Sequence, residues 1–283
     1  MAKQKETKKS DKGKNAWIKI ATIAILIVLF LVFCIYENTH LVVTCYTYSS
    51  GKMPDGLAGY RIVQISDLHN ATFGKGNEKL VSMIDELNPD VIVLTGDIVD
   101  SNHTDIRCAL EFASVVANIC PVYYVTGNHE YWLDEEDYNE LMSGLRQSGV
   151  NILSNEISTI SYNGVSYNLV GLDDRSLLGD VLLDTLDTHG DEFNVVLAHE
   201  PQYLYKYVAA GSDLVITGHA HGGQFRLPFI GAVYAPDQGF LPDMTEGVHT
   251  QGNTTMIISR GLGNSVIPVR LFNDPEIVCI DFE

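Results

Sequence analysis

Short apolar segments rich in β-branched residues alternate with amphipathic stretches through most of this chain, and that alternation restricts the folds open to it. We predict strands at 61–66, 91–95, 122–126, 167–172, 193–198 and 213–218, with two more near 254–259 and 276–282. Helices are predicted near 77–88, 104–117, 134–147 and 202–209. Strands that are apolar throughout are buried on both faces, so the pattern predicts an α/β domain in which helices cover the sheets.

Nearly every predicted strand is followed by a cluster of Asp, His or Asn side chains. The clusters are Asp67 with His69, Asp97 with Asp100, Asn128 with His129, His199 alone, and His219 with His221. Ligands of open α/β sheets bind at the carboxyl ends of the strands, so these distant clusters should converge in space. Side chains at i and i+2 of an extended segment also point the same way, which lets Asp67 and His69 reach one metal ion.

Each cluster alone has an ordinary structural explanation. An aspartate or asparagine after a strand commonly caps a helix or forms a turn, and a lone histidine such as His199 is more often a hydrogen-bonded structural residue. Five such clusters, in order and each closing a strand, favour a metal site instead, because metals neutralise buried carboxylates that would otherwise be costly. Imidazole, carboxylate and amide ligands suit Mn, Fe or Zn.

Together the motifs D-x-H, G-D-x-x-D, G-N-H-E, a strand-terminal His and G-H-x-H resemble those of the calcineurin-like metallophosphoesterase superfamily. The resemblance runs from about Arg61 to the end of the chain, and the lysine-rich start and apolar segment are similar to its bacterial membrane-anchored phosphohydrolase branch. It implies a four-layer αββα sandwich, in which two packed mixed β-sheets are flanked by helices, preceded by one transmembrane helix.

The same resemblance implies two divalent metal ions per chain and assigns their ligands. The first metal would be held by Asp67, His69, Asp97 and His221, and the second by Asp97, Asn128, His199 and His219, with Asp97 bridging. His129 would act as the catalytic acid, oriented by Asp100.

The implied activity is hydrolysis of phosphate mono- or diesters by a hydroxide that bridges the two metals. Two alternatives stay open: a membrane-associated pyrophosphatase acting on a lipid-linked or nucleotide-linked pyrophosphate, and a catalytically silent metal-binding scaffold. Protein phosphatases of the superfamily have an arginine where this chain has Ser101, which argues against that branch. Asn128 and Arg260 are candidates to bind the substrate phosphate, although a purely structural arginine is an equal interpretation of Arg260.

The segment Ile20–Tyr36 is 17 residues long and carries no charge, which is close to the minimum length for a transmembrane helix. Residues 1–19 contain seven lysines and a net charge of +5, so we expect the amino terminus to be cytoplasmic and the catalytic domain to lie outside the cell membrane. A cleaved signal peptide is the alternative, but no A-x-A-like site follows. We therefore expect a tail at 1–19, an anchor at 20–36 in contact with membrane lipid, a linker and edge element at 37–58, and a metallophosphoesterase domain at 59–283.

Residues 20–283 carry a net charge of −23, since the whole chain carries −18. Such a body repels polyanions, so we expect no nucleic-acid partner. The five cysteines are scattered and odd in number, which gives no support for a disulfide framework. Residues 222–247 are rich in Gly, Pro and aromatic residues. This segment either lines a pocket for an apolar phosphate ester or forms a hairpin whose aromatic side chains pack together.

Overall fold

The computed structural model describes residues 2–175, 192–264 and 268–283, with side chains from residue 17 onward. The helices are α1 Ala2–Thr39, α2 Glu78–Glu86, α3 Ile106–Val116, α4 Asn128–Tyr131, α5 Glu135–Gln147 and α6 Leu204–Ala209. The strands are β1 Val42–Tyr48, β2 Arg61–Ile65, β3 Val91–Thr95, β4 Val122–Val125, β5 Asn151–Ile152, β6 Glu156–Tyr162, β7 Val165–Gly171, β8 Asn194–Leu197, β9 Leu214–Thr217, β10 Arg226–Leu227, β11 Gly231–Ala232, β12 Tyr234–Ala235, β13 Gly239–Phe240, β14 Gly247–Gln251, β15 Thr254–Ile258 and β16 Glu276–Phe282.

The strands form two mixed sheets of six strands each. The first has the order β1-β16-β2-β3-β4-β5, and the second has the order β14-β15-β9-β8-β7-β6. Strands β2, β3 and β4 are parallel neighbours in the first sheet, and β7, β8, β9 and β15 are parallel neighbours in the second. Two short hairpins, β10–β11 and β12–β13, follow β9. Each sheet thus presents several parallel strands whose carboxyl ends share one edge.

Successive residues along each central strand face opposite layers of the molecule. In β2, Ile62 packs in the core between the two sheets, whereas Val63 packs against the helices outside the first sheet. Helices α2, α3 and α5 cover that outer face, and α6 covers the outer face of the second sheet. Full burial of one such side chain contributes about 1.5–3 kcal/mol. The expected four-layer α/β architecture is therefore confirmed.

All eight predicted strands and all four predicted helices are present, within a few residues of their expected bounds. The ends of α5 show why its prediction worked: Asp134 accepts a hydrogen bond from the Asp137 amide, and the first turn is acidic. Strands β6 and β14 were not predicted. Both are edge strands with mostly exposed or half-buried residues, so they lack the continuous apolar pattern of the central strands.

Helix α1 contains a segment, Trp17–Thr39, that is long and apolar enough to cross a membrane, with a mean hydropathy of 3.0. The helix is followed directly by β1, which forms an edge of the first sheet by pairing with β16. Side chains are described only from Trp17 onward, so those of residues 1–16 in the predicted lysine-rich tail lie outside the described part of the structure. All five cysteines are free thiols.

Candidate metal centre

The structure brings together the seven side chains proposed as metal ligands. Asp67, Asp97 and Asn128 follow β2, β3 and β4 of the first sheet, and His199 and His219 follow β8 and β9 of the second. His69 and His221 lie two residues after Asp67 and His219. Although 152 positions separate His69 from His221, their Nε2 atoms lie 3.2 Å apart. The edges of the two sheets therefore meet at one point.

The donor atoms form two clusters that share one residue. Ligand atoms of Asp67, His69, Asp97 and His221 all lie within 4.8 Å of one another, and the same holds for Asp97, His199 and His219. The Asn128 Oδ1 lies 3.2 Å from the His199 Nε2, which adds an amide oxygen to the second cluster. Asp97 is the residue common to both clusters.

The carboxylate of Asp97 lies between the imidazoles of the two clusters. Its Oδ2 is 3.2 Å from the His199 Nε2 and 3.4 Å from the His69 Nε2. Within the second cluster, the His219 Nδ1 lies 3.1 Å from the His199 Nε2. All of these side chains are buried. The donors therefore converge on two neighbouring points that are shielded from solvent.

The backbone at the ligands adopts a conformation that few residues tolerate. Five ligands have positive φ angles: Asp67 52°, His69 44°, Asp97 50°, His219 64° and His221 49°. Each such residue costs about 1–3 kcal/mol, and strain of this kind concentrates at functional sites.

Two glycines allow the loops that carry the ligands to approach each other closely. A Cβ at Gly127 would lie 2.3 Å from the Asp97 Oδ1, and one at Gly218 would lie 2.4 Å from the Asp67 Oδ2. Any side chain at these positions would displace a ligand carboxylate.

The electrostatics of the first cluster suit a divalent cation. Burial lowers the pKa of His69 to about 3, and burial together with Arg270 holds the pKa of His221 well below its ordinary value. Both rings are therefore neutral and have a lone pair available for a metal. Burial alone would raise the pKa of Asp97, but His199 outweighs it and holds that pKa well below its usual range. Neutral imidazoles, carboxylates and an amide oxygen form a donor set that fits Mn, Fe or Zn.

Comparison with known proteins identifies the family. The family model described as calcineurin-like phosphoesterase matches residues 60–223. The chain belongs to that family.

Three relatives align with most of this chain. The uncharacterized metallophosphoesterase YkuE of Bacillus subtilis is 31% identical over 86% of both chains. A transmembrane protein with metallophosphoesterase domain from Danio rerio is 30% identical over 81% of this chain and 54% of its own length. Phosphodiesterase YaeI of Escherichia coli is 26% identical over 80% of this chain and 83% of its own.

In this calcineurin-like phosphoesterase, Glu130 joins two of the ligand loops. Its buried carboxylate accepts hydrogen bonds from the amides of Asp97, Ile98 and Gly127, at 2.9, 2.9 and 2.7 Å. Burial, with the nearby Asp97 charge, raises the pKa of Glu130 to about 7. The sequence predicts no role for Glu130, although it is the last residue of the G-N-H-E motif. Its position three residues after Gly127, the residue before α4, is the signal that could have identified it.

His129, the proposed catalytic acid, lies beside the clusters, and Ser101 lies closer to its ring than the expected Asp100 does. The Ser101 amide donates to the His129 Nδ1 at 3.1 Å, and the Ser101 hydroxyl lies at the same distance. The Asp100 Oδ1 is 3.5 Å away and accepts instead from the Asn102 amide at 2.8 Å. Ser101, noted in the sequence for the arginine it replaces, is thus the residue in hydrogen-bond contact with this ring.

A cavity of about 230 Å³ opens over the metal centre. His129, Trp132, Tyr234 and Asp237 are among the residues that line it. The Asp237 Oδ2 lies 3.0 Å from the His219 Nε2, while the other nitrogen of that ring faces His199. Asp237 thus contacts a proposed metal ligand from outside the cluster, as residues that orient such ligands do. No sequence motif marked it, because it lies in the irregular segment after His221.

Arg260, a candidate for phosphate binding, does not line this cavity. Its guanidinium Nη2 lies 3.2 Å from Glu276, and its Nε lies 3.7 Å from Glu246. This placement matches the structural interpretation of Arg260, and its part in phosphate binding stays a prediction.

Proposed function

We propose that this protein hydrolyses phosphate mono- or diesters at a centre of two divalent metal ions. The observation that carries the proposal is the position of Asp97, whose carboxylate belongs to both ligand clusters. Asp67, His69 and His221 would complete one site, and Asn128, His199 and His219 would complete the other. Two ions bound in this way lower the pKa of a water molecule and neutralise charge on the phosphoryl oxygens.

The side chains around the proposed metals define further roles. Because the Ser101 amide donates to the His129 Nδ1, the proton of the neutral ring resides on Nε2. We propose that the ring, when protonated at both nitrogens, donates its Nε2 proton to the leaving alkoxide and returns to the neutral form, a contribution of about 10²–10⁴-fold in rate. Asn128 lines the cavity and could contact the substrate phosphate as well as a metal. Asp100 would stabilise the ring when both nitrogens are protonated.

Hydrolysis of bis-p-nitrophenyl phosphate and p-nitrophenyl phosphate with added Mn²⁺ tests the proposal. We expect the wild-type protein to hydrolyse at least one of the two esters in a metal-dependent manner. The variant His129→Asn should lose turnover about 10²-fold or more and keep its metal content. Full metal occupancy without turnover of either ester would instead support the metal-binding scaffold.

We also propose that α1 anchors the protein in the cell membrane, with the amino terminus cytoplasmic and the catalytic domain outside. The apolar segment Trp17–Thr39 and the lysines that precede it support this orientation. Cys45, on edge strand β1, is the exposed cysteine of the chain. A membrane-impermeant maleimide should therefore label intact cells that express the protein, and Cys45→Ser should remove most of that labelling. Labelling only after lysis would contradict the orientation.

A further inference from the structure

Exposed apolar side chains of the catalytic part are concentrated in one region. Eleven large apolar residues outside α1 are exposed among those described, and six of them, apart from the cavity-lining Tyr234, belong to the segment between β9 and β14 and the loop before β16. We call these six the apolar rim: Leu227, Phe229, Ile230, Phe240, Leu241 and Phe272. Contiguous exposure of this kind marks an interaction surface, whereas single exposed apolar residues are normal.

The apolar rim includes residues held in an unfavourable backbone conformation. Phe229, Leu241 and Phe272 have φ angles of 70°, 53° and 53°. The other non-glycine residues with positive φ in the described chain are Asp, Asn, His or Gln. Around Phe229 the chain forms a tight turn, in which the Ile230 amide donates to the Leu227 carbonyl at 3.1 Å. Glycine or asparagine is expected at the third position of a turn with positive φ, yet this turn has a phenylalanine there whose side chain is fully exposed.

One end of the apolar rim contacts the anchor helix itself. The ring of Phe272 lies 5.2 Å from that of Phe33, measured between centroids. Phe33 lies three residues before the end of the uncharged run at Tyr36, which is about 4.5 Å along a helix axis. If α1 spans the bilayer, Phe272 must therefore lie at the depth of the outer boundary of the hydrocarbon core.

The anchor is fixed to this loop by polar contacts as well. The buried carboxylate of Glu37 accepts a hydrogen bond from the Asn273 amide at 3.0 Å, and the Asn264 side chain donates to the Asn38 Oδ1 at 2.7 Å. Phe33 and Glu37, four residues apart, lie on one face of the helix, and Asn38 follows Glu37 directly. The position of Phe272 relative to the membrane is thus set by several contacts.

Backbone hydrogen bonds connect Phe272 to the rest of the apolar rim. Its neighbour Leu271 forms a β-bridge with Phe225, and the Leu271 carbonyl accepts from the Arg226 amide at 2.9 Å. The Phe225 carbonyl then accepts from the Val233 amide, and the Val233 carbonyl accepts from the Leu241 amide. The rim is therefore attached to the segment that contacts the anchor.

The apolar rim also reaches the cavity over the metal centre. The ring of Tyr234, which lines the cavity, lies 5.5 Å from that of Phe240. On the anchor side, the Asn273 side chain donates to the carbonyl of the proposed ligand His221 at 2.7 Å. Because the cavity volume is only about 230 Å³, it accommodates a phosphate and a few neighbouring atoms, and the rest of a larger ester must lie outside it.

We propose that the apolar rim enters the interface of the bilayer that holds α1, so that the metal centre receives a phosphate ester borne by a membrane lipid. This inference rests on the proposed hydrolysis and anchoring and adds the substrate class. The net charge of −23 on residues 20–283 disfavours electrostatic attraction to anionic lipid, and the turn at 227–230 has no charged residue. The contact is therefore apolar.

The contact is tested by tryptophan quenching in vesicles of phosphatidylcholine brominated near the glycerol end of its acyl chains. Phe229→Trp is made in the full chain with Trp17 and Trp132, the two native tryptophans, changed to phenylalanine. Val115→Trp, at an exposed position on α3, is the matched control. We expect the fluorescence of the tryptophan at 229 to fall about twofold and that at 115 to stay nearly constant.

Equal fluorescence at the two positions, in protein that floats with the vesicles, would overturn the contact and leave the anchor intact. Crosslinking between copies through residue 229 would then identify a second chain as the occupant of the rim. Failure of the protein to float with the vesicles would overturn both the anchor and the contact.

The substrate class is tested with a matched pair of esters, p-nitrophenyl hexadecyl phosphate in phosphatidylcholine vesicles and bis-p-nitrophenyl phosphate in solution. We expect Phe229→Ser with Ile230→Ser to lower hydrolysis of the vesicle-borne ester about tenfold relative to the soluble ester. Val115→Ser with Val248→Ser, two exposed positions outside the rim, should leave the ratio unchanged. If the rim variant kept the wild-type ratio of vesicle-borne to soluble ester hydrolysis, the lipid substrate would be refuted. If the wild-type protein hydrolysed neither ester, the proposed hydrolysis itself would be refuted.

Discussion

Replacement of Asp97 by asparagine should remove the stabilisation that divalent metals give to this protein. Asp97 has its Oδ2 within 3.4 Å of imidazoles from both clusters, so the change removes a negative charge from both proposed sites at once. His129 lies beside the clusters and is assigned to proton transfer. The variant His129→Asn should therefore keep the stabilisation that Asp97→Asn loses.

The size of the effect follows from linkage between binding and folding. An ion at 100 times its dissociation constant stabilises the folded state by about 2.7 kcal/mol, so two ions contribute about 5 kcal/mol. At roughly 2–4 °C per kcal/mol for a domain of this size, wild-type protein should melt roughly 10–20 °C higher with Mn²⁺ than without it. His129→Asn should show the same increase, and Asp97→Asn should show almost none.

Differential scanning calorimetry of the detergent-solubilised chain, with and without Mn²⁺, measures these increases directly. His249→Asn is a suitable control because His249 lies on β14, outside both clusters. An unchanged increase in Asp97→Asn would refute its role as a ligand. If Asp97→Asn lost only half of the increase in melting temperature, the sharing of Asp97 between two metals would be refuted. If His129→Asn lost as much of the increase as Asp97→Asn, the assignment of Asp97 to metal binding and of His129 to proton transfer would be refuted.

Three further predictions concern other parts of the site. Gly127→Ala would place a methyl group 2.3 Å from the Asp97 Oδ1 and should lower the free energy of unfolding, measured by urea titration, by about 1–3 kcal/mol. Gly51→Ala, whose added methyl group meets no atom within 4 Å, should lower it little in the same titration. Burial lowers the pKa of His199, but Asp97 outweighs it and holds that pKa well above its ordinary value. A metal that binds His199 should therefore displace about one proton, so the affinity for the metal should rise about tenfold per pH unit near neutrality. Titration calorimetry in two buffers of different ionisation enthalpy measures the number of protons released. Release of no proton would contradict the prediction. Asp237→Asn removes the carboxylate that lies 3.0 Å from a ligand imidazole and should weaken metal binding about 10–100-fold in a competition titration with a chelator, so unchanged affinity would argue against an orienting role.

The fold and the ligand clusters were predictable because both depend on patterns that are local in sequence. The strand Val91–Thr95 is buried at every position, so its apolar run marks it as a central strand. The polar residues that follow such strands must converge, because parallel strands place their carboxyl ends at one edge. His69 and His221 meet for this reason although 152 positions separate them.

The remaining features depend on tertiary contacts that no local pattern encodes. Ser101 contacts His129 only because two loops from neighbouring strands lie side by side. Asp237 reaches His219 from an irregular segment. One interpretation of that segment expected a single hairpin with packed aromatic residues. The segment forms two hairpins, in which Tyr234 and Phe240 pack together as expected but Phe229 is fully exposed. The hydrophobicity of a segment does not reveal whether its side chains face the core or the surroundings.

Anomalous diffraction from crystals grown with Mn²⁺ would show directly whether Asp97 joins two metal ions. We expect two anomalous peaks about 3.5–4 Å apart, one on each side of the Asp97 carboxylate. A single peak, or two peaks with Asp97 bound to only one of them, would contradict it.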